Sequence, residues 1–503
     1  MTDRLGLCIL VLVVALAAAL RLPRLADRPM HLDEAIHTVK VDELWRTGRY
    51  VYDPEDYHGP TLYYATLPAL WLSGARDFAA TSERLFRVVP AVFGCLTVLL
   101  PWLLRDALGR GGALAAALLL AVAPLTTYYS RYYIQETLLA FFTLLTIAAA
   151  WRYVRCRRAR RAQRWAWALL AGASLGLMHA TKETSILALG AMGAALLAAM
   201  WWVRHKPADE PPASRRASWR EITAGLALAV LISATLYSGF FSHPQGIVDS
   251  VRTYAGYFDR AGGHGLHDHP WWYYLRILAW VRYPTLHPWT HAIVLALAAI
   301  GAGVAGASHG DTAAMRRFLL VYTLVLTAAY TVISYKTPWC MLSFVQAMML
   351  LGGLGAAWLF ERVRGAAGRT VVAVLLIAGV GHLGMQSLRA NDLWFDDDPR
   401  QLSCDNRNPF AYAHAVAGVR RLVDWIDQLA AVHPAGRGMV IKVIVPEHDY
   451  WPLPWYLRAY PNVGYWDRVT DEIDADVVIV GDALLPAAEE RMPRPVGSCS
   501  SYG

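Results

Sequence analysis

Apolar residues run in long blocks along most of this chain, broken by short polar connections rich in arginine. The first block is Leu5–Leu20, and Gly111–Leu125 is another. A run of about 18 or more apolar residues crosses the hydrocarbon core as a helix. The pattern predicts spans near 5–21, 85–104, 111–128, 136–152, 165–180, 185–203, 221–240, 289–307, 317–334, 338–360 and 370–388. Thr61–Ala75 is apolar as well, but it is short, contains Pro68 and opens near Tyr63-Tyr64. Such a segment suits an interfacial helix better than a span.

The pattern changes after about residue 389. Val416–Leu429 places apolar residues at helical spacing. Met439–Val445 and Asp476–Val480 are β-branched runs bounded by turn residues, as buried strands are. The expectation is a polytopic α-helical membrane protein of about 11 spans with a small extracytoplasmic α/β C-terminal domain. The membrane part covers 1–388, with a long first outer loop at 22–84, and the second domain covers 389–503. That domain carries no Gly-rich phosphate loop, and the chain shows no internal repeat.

Composition agrees with the pattern. Charged residues make up 17% of the 503 residues, against roughly a quarter in soluble domains. The net charge of +8 invites a nucleic-acid reading, but the basic residues sit between apolar runs, most densely from Arg152 to Arg164. That is the positive-inside signature. With the N-terminus cytoplasmic, every strongly basic connection falls on the cytoplasmic face of the cell membrane. Nucleic acid is excluded as a partner. The N-terminal run resembles a signal peptide but is read as a retained first span. The six cysteines form no CxxC pair; Cys404 and Cys499 can pair if their compartment is oxidising.

The same parity collects the candidate chemistry on the outer face. His31-Leu32-Asp33-Glu34-Ala35-Ile36-His37 lies about ten residues beyond the first span. Two acids there serve either as the first turn of a helix or as a tuned carboxylate base. Asp33 and His37 share a helical face, so a divalent metal held with His31 or His37 is a further option. His58 precedes the Gly59-Pro60 turn, in front of the Tyr63-Tyr64 pair. Tyr129, Arg131 and Glu136 sit in an aromatic outer turn, where a guanidinium either snorkels or takes a phosphate. Lys182 lies beside Glu183, and Tyr335-Lys336-Thr337-Pro338 places a second lysine at the outer edge. Ionisable groups at that depth are functional candidates.

Acids and cations on one face suit an anionic, membrane-embedded substrate. A polyprenyl-phosphate sugar fits: Arg and Lys take the phosphate, and a carboxylate deprotonates the attacking hydroxyl with inversion at the sugar carbon. The rival is a transporter, flippase or non-catalytic partner for lipid-linked sugars, which predicts charges at the midplane and broken helices in related halves.

The set Asp33-Glu34, His58-Gly59-Pro60, Tyr129-Ser130-Arg131 with Glu136, Lys182 and Tyr335-Lys336-Thr337-Pro338 resembles the integral-membrane GT-C glycosyltransferases. The likeness extends through about residue 345. It is closest to the protein O-mannosyltransferase and aminoarabinose transferase branch, in a prokaryotic subgroup associated with lipid-linked oligosaccharide flipping. The resemblance implies Asp33 as base with Glu34 beside it in the acceptor site, and Arg131, Lys182 and Lys336 on the carrier phosphate. It implies a polyprenyl-phosphate sugar and membrane lipid as partners, with a glycan, lipid or protein as acceptor. Two departures narrow it. Trp271-Trp272 is followed by Tyr273, so the Trp-Trp-Asp tripeptide of asparagine-linked oligosaccharyltransferases is missing, and there is no MIR-like insertion.

Overall fold

The computed structural model describes residues 2–55, 58–156, 160–204, 218–261, 267–284, 287–393, 401–470 and 473–491. The bundle opens with α1 (Asp3–Arg21), followed in the outer loop by α2 (Leu32–Thr47) and α3 (Thr61–Ser73). Next come α4 (Glu83–Thr97), α5 (Arg110–Val122), the short α6 (Pro124–Tyr129) and α7 (Glu136–Arg155). The arginine-rich connection leads to α8 (Arg161–His179), α9 (Ser185–Arg204) and α10 (Trp219–Tyr237). After α11 (Gln245–Ala261) and α12 (Tyr273–Ala279), the bundle finishes with α13 (Ala292–Gly306), α14 (Ala313–Val332), α15 (Met341–Arg362) and α16 (Ala366–Ala390).

Among the described residues, eight helices are long and apolar enough to cross a membrane. The other three predicted spans also form helices. Two are shorter, α5 and α13; the third, α8, carries Arg161 and Arg164 in its first turn. The predicted span at 111–128 is two helices. Pro124 has no amide hydrogen to donate to a continuing helix, so the chain breaks at Ala123 and restarts as α6. The apolar 61–75 stretch is α3, at 13 residues far below bilayer length.

The most enclosed element is α15, whose residues Met341–Val345 are all buried. It packs against α5 and α13. Small residues make this approach close. A Cβ on Gly301 would overlap the Leu351 carbonyl, and one on Gly355 would overlap the Leu297 carbonyl. Without water to drive helix association in lipid, such backbone proximity and its dispersion energy hold the helices together.

The C-terminal part is built on α17 (Gly418–Val432) and a three-stranded parallel sheet. Its strands are β1 (Ile441–Ile444), β2 (Val463–Trp466) and β3 (Val477–Val480), ordered β2-β1-β3. Ile441 pairs with both Val463 and Val477, so all three strands are in register. The central strand is buried along its whole length, as a strand covered on both faces must be. β2 escapes sequence reading because Gly464 interrupts its β-branched pattern. Cys404 is buried with its thiol on the Gln401 carbonyl; Cys499 lies outside the described residues.

This part docks on the first outer loop. Trp455 is fully buried, with Phe78 and Phe86 edge-on to its ring at 5.5 Å each. Its indole nitrogen donates to Glu83 at 3.2 Å. The first loop, the turn before α7 and the C-terminal part therefore share one side of the bundle.

Candidate active site

The two adjacent acids have opposite environments. His31 caps α2, accepting the Asp33 amide on Nδ1 at 3.0 Å, while Glu34 reaches back to accept the His31 amide at 2.9 Å. This reciprocal capping box fixes the helix start. It also turns Glu34 inward, where it is wholly buried. Arg87 of α4 grips both its oxygens at 2.7 and 2.6 Å, and the Tyr133 amide adds a bond at 2.8 Å. Burial alone would raise this carboxyl, but Arg87 and Arg28 hold it well below the usual range. With both oxygens committed, Glu34 serves the architecture and offers nothing to an acceptor. That corrects the expectation of a paired catalytic role.

Asp33 points the other way, and its side chain is 35% exposed. Burial pushes its carboxyl up, yet the electrostatic pull of the surrounding His31, His37, His58 and Lys182 outweighs that and holds it below its ordinary value. It is an ionised, accessible carboxylate set among nitrogen groups. The structure thus brings Asp33, His37, His58 and Lys182 together.

Lys182 does not pair with its neighbour Glu183. It forms a buried ion pair with Glu136 at the start of α7. Burial lowers its ammonium, but Glu136 more than reverses this and keeps it charged. Glu183 instead accepts from Tyr52 at 2.9 Å and meets His58 Nδ1 at 2.9 Å. Burial opposes its ionisation, and His58 holds it down to about 2. The sequence motifs did not single out Tyr52 or Arg87, and read Glu183 only as a candidate partner of Lys182. A carboxylate beside a lysine reads as its partner, and only the fold shows the exchange.

Of the histidines considered for a metal, His31 is excluded by its own bonds. Nδ1 accepts from the Asp33 amide, so Nε2 carries the proton that goes to the Tyr412 carbonyl at 3.0 Å. No lone pair is left. His37 is driven by burial to about 3 and is therefore neutral, with Nδ1 at 3.0 Å from the Tyr63 hydroxyl. Among the described residues no group of three or more His, Cys, Asp or Glu side chains is arranged to hold a metal ion.

Arg131 and Tyr129 also face inward. The Arg131 fork donates to the carbonyls of Arg21, Pro23 and Arg24 at 2.9, 2.7 and 3.2 Å, closing the end of α1. It cannot meet a phosphate without releasing them. The Tyr129 hydroxyl donates to the Phe410 carbonyl at 2.7 Å. Lys336 stays beside the site, its ammonium on the carbonyls of His269, at 3.2 Å, and Ile333. Burial lowers its pKa, with Asp268 acting against the shift. Tyr335 is 41% exposed and edge-on to His267 at 5.0 Å.

Asp33, His37, His58 and Lys182 thus lie together on the side of a many-helix bundle where the small C-terminal α/β part docks. Residues 64–248 match the family described as dolichyl-phosphate-mannose-protein mannosyltransferase. The undecaprenyl phosphate-alpha-4-amino-4-deoxy-L-arabinose arabinosyl transferase of Pseudomonas aeruginosa is 28% identical over 294 residues, 55% of this chain and 46% of that protein. The chain thus spans about half the length of the curated relatives it matches. The crystal structure of ArnT from Cupriavidus metallidurans superposes with a TM-score of 0.60 at 15% identity, over 91% of this chain and 85% of that one. The Archaeoglobus fulgidus oligosaccharyltransferase gives 0.57 at 14% identity, over 92% and 64%. The chain shares the fold of these two solved membrane transferases and is similar in sequence, over part of its length, to the mannosyltransferase family and the arabinosyl transferases.

Proposed function

We propose that this protein transfers a sugar from a polyprenyl-phosphate donor to an acceptor hydroxyl on the outer face of the membrane, with Asp33 as general base. The observation that carries this reading is the contrast within one dipeptide. Glu34 is sealed in an arginine cage, while Asp33 beside it is ionised and reachable. A helix cap alone needs only the first. Asp33 takes the proton of the acceptor hydroxyl as that oxygen attacks the anomeric carbon. The bond from that carbon to the phosphate oxygen breaks, and the polyprenyl phosphate leaves with the electron pair. Displacement in one step inverts the configuration.

Lys182 and Lys336 are the cations assigned to the departing phosphate, where a preorganised charge is worth most. Lys336 suits this role because its present partners are neutral carbonyls. The donor class is supported by the undecaprenyl phosphate and dolichyl phosphate in the names of the matching transferase and family. Eleven crossings with a cytoplasmic N-terminus follow from the basic connections. The test is a transfer assay with purified protein and synthetic polyprenyl-phosphate sugars. Asp33→Asn is expected to abolish transfer at unchanged expression, and full activity in that variant would overturn the reading.

A further inference from the structure

The segment between α1 and α2 is irregular, and its backbone is held by arginines. Arg131 takes the carbonyls of residues 21, 23 and 24, and Arg87 takes those of Leu25, Arg28 and Pro29 at 2.9, 2.8 and 2.8 Å. Both belong to the membrane bundle. Further contacts come from the C-terminal part, on four residues between positions 26 and 31: Ala26, Arg28, Met30 and His31. Arg420 of α17 donates to the carbonyls of Ala26 and Arg28, the latter at 3.1 Å. The Tyr456 hydroxyl accepts the Met30 amide at 2.9 Å, and Met30 is fully buried. The Tyr412 carbonyl holds His31, whose other nitrogen caps the Asp33 amide.

We propose that Arg420 and Tyr456 are positioning residues for Asp33, so that the C-terminal part completes the catalytic loop. The inference rests on the base role assigned to Asp33. A loop without regular secondary structure has no ladder to fix it, and a general base must stay within hydrogen-bond reach of its proton. A shift of about 1 Å can cost 100-fold in rate. Arg420 holds both carbonyls through one guanidinium nitrogen, Nη2, and so ties residues 26 and 28 to a single point on α17. The ion pairs around Glu34 hold the helix start from below, and Arg420 with Tyr456 holds it from above.

The test uses the full-length protein in detergent or nanodiscs, with two readouts. Hydrogen–deuterium exchange of the peptide covering residues 22–36 should rise in Arg420→Ala and in Tyr456→Phe, while peptides from α15 stay unchanged. In the transfer assay, Arg420→Ala should lower kcat at least 10-fold with KM for the lipid donor within twofold. Arg420→Lys should recover part of that loss, and the isosteric Tyr456→Phe should show a smaller kcat defect. Unchanged exchange at 22–36, or a loss seen only in KM, overturns the positioning role. If Asp33→Asn retains activity, the base reading fails, and the exchange result still decides whether the loop is held.

Discussion

Asp33 and Glu34 differ by one position, and the helical turn of about 100° per residue aims them in different directions. At the third helical position Glu34 closes the capping box and meets Arg87. Asp33 is turned toward His37 and His58. Substituting each should therefore fail differently. Glu34→Gln leaves the Arg87 charge buried without its counter-charge, a loss of about 3–5 kcal/mol. It is expected to appear as a large drop in thermal midpoint and in yield, whereas Asp33→Asn should leave the midpoint close to wild type. Thermal unfolding in detergent with tryptophan fluorescence checks both. The pH behaviour follows from the same contrast. Because Asp33 is held below its ordinary value, it remains ionised well above a pH of about 4. Its protonation should not shape the rate at neutral pH, and transfer attributable to it should fall only in acid. Glu34 and Glu183 are likewise depressed. Their stabilisation is complete above the ordinary glutamate pKa of about 4.3 and is lost as pH falls through their folded values. Glu183→Gln should flatten the acid unfolding curve at that end.

At the scale of elements, the helices were legible because bilayer length and apolarity leave few alternatives. Each predicted span is helical, one of them as two helices and eight of them long and apolar enough to cross a membrane, and the amphipathic stretch from Val416 became α17, at Gly418–Val432. What escaped were interruptions and partners. Pro124 splits one run, and Gly464 hides β2. The choice of Glu136 over Glu183 by Lys182 depends on how α7 meets the turn before α9. Arg131 shows the same limit at single-residue level. An arginine among tyrosines reads as an anion site until the unsatisfied carbonyls at the end of α1 are seen beside it. The α13–α15 seam gives a further expected outcome. Gly355→Leu places a branched side chain against the Leu297 carbonyl and must separate the helices. A fall of several degrees in the thermal midpoint, larger than that for Gly303→Leu in open space on the same α13, would show that the seam is close-packed as described.

For the whole molecule, the acidic loop, the turn at Tyr129–Glu136, the Lys182 turn, the Lys336 turn and the C-terminal part all meet on one side. Parity of the basic connections anticipates that grouping, and it is the part of the site most legible from sequence. Sidedness itself is checked by labelling single cysteines in intact cells. Leu429→Cys on α17 should react with an impermeant maleimide, and Gln163→Cys at the arginine-rich end of α8 should react only after permeabilisation. The reverse pattern would invert the orientation.

The arginine-held linker also has a consequence for how the chain is made. Its carbonyls emerge from the ribosome early, but the arginines that satisfy them lie 59, 110 and 394 residues further on. The first two arrive while the bundle is still being inserted, and the last only after α16, the final helix of the bundle, has been translated. A chain interrupted before Arg420 would reach the membrane with its spans in place and its acidic loop loosely held. Synthesis therefore finishes the bundle first and tightens the acidic loop last, so that a stalled product is inserted but idle.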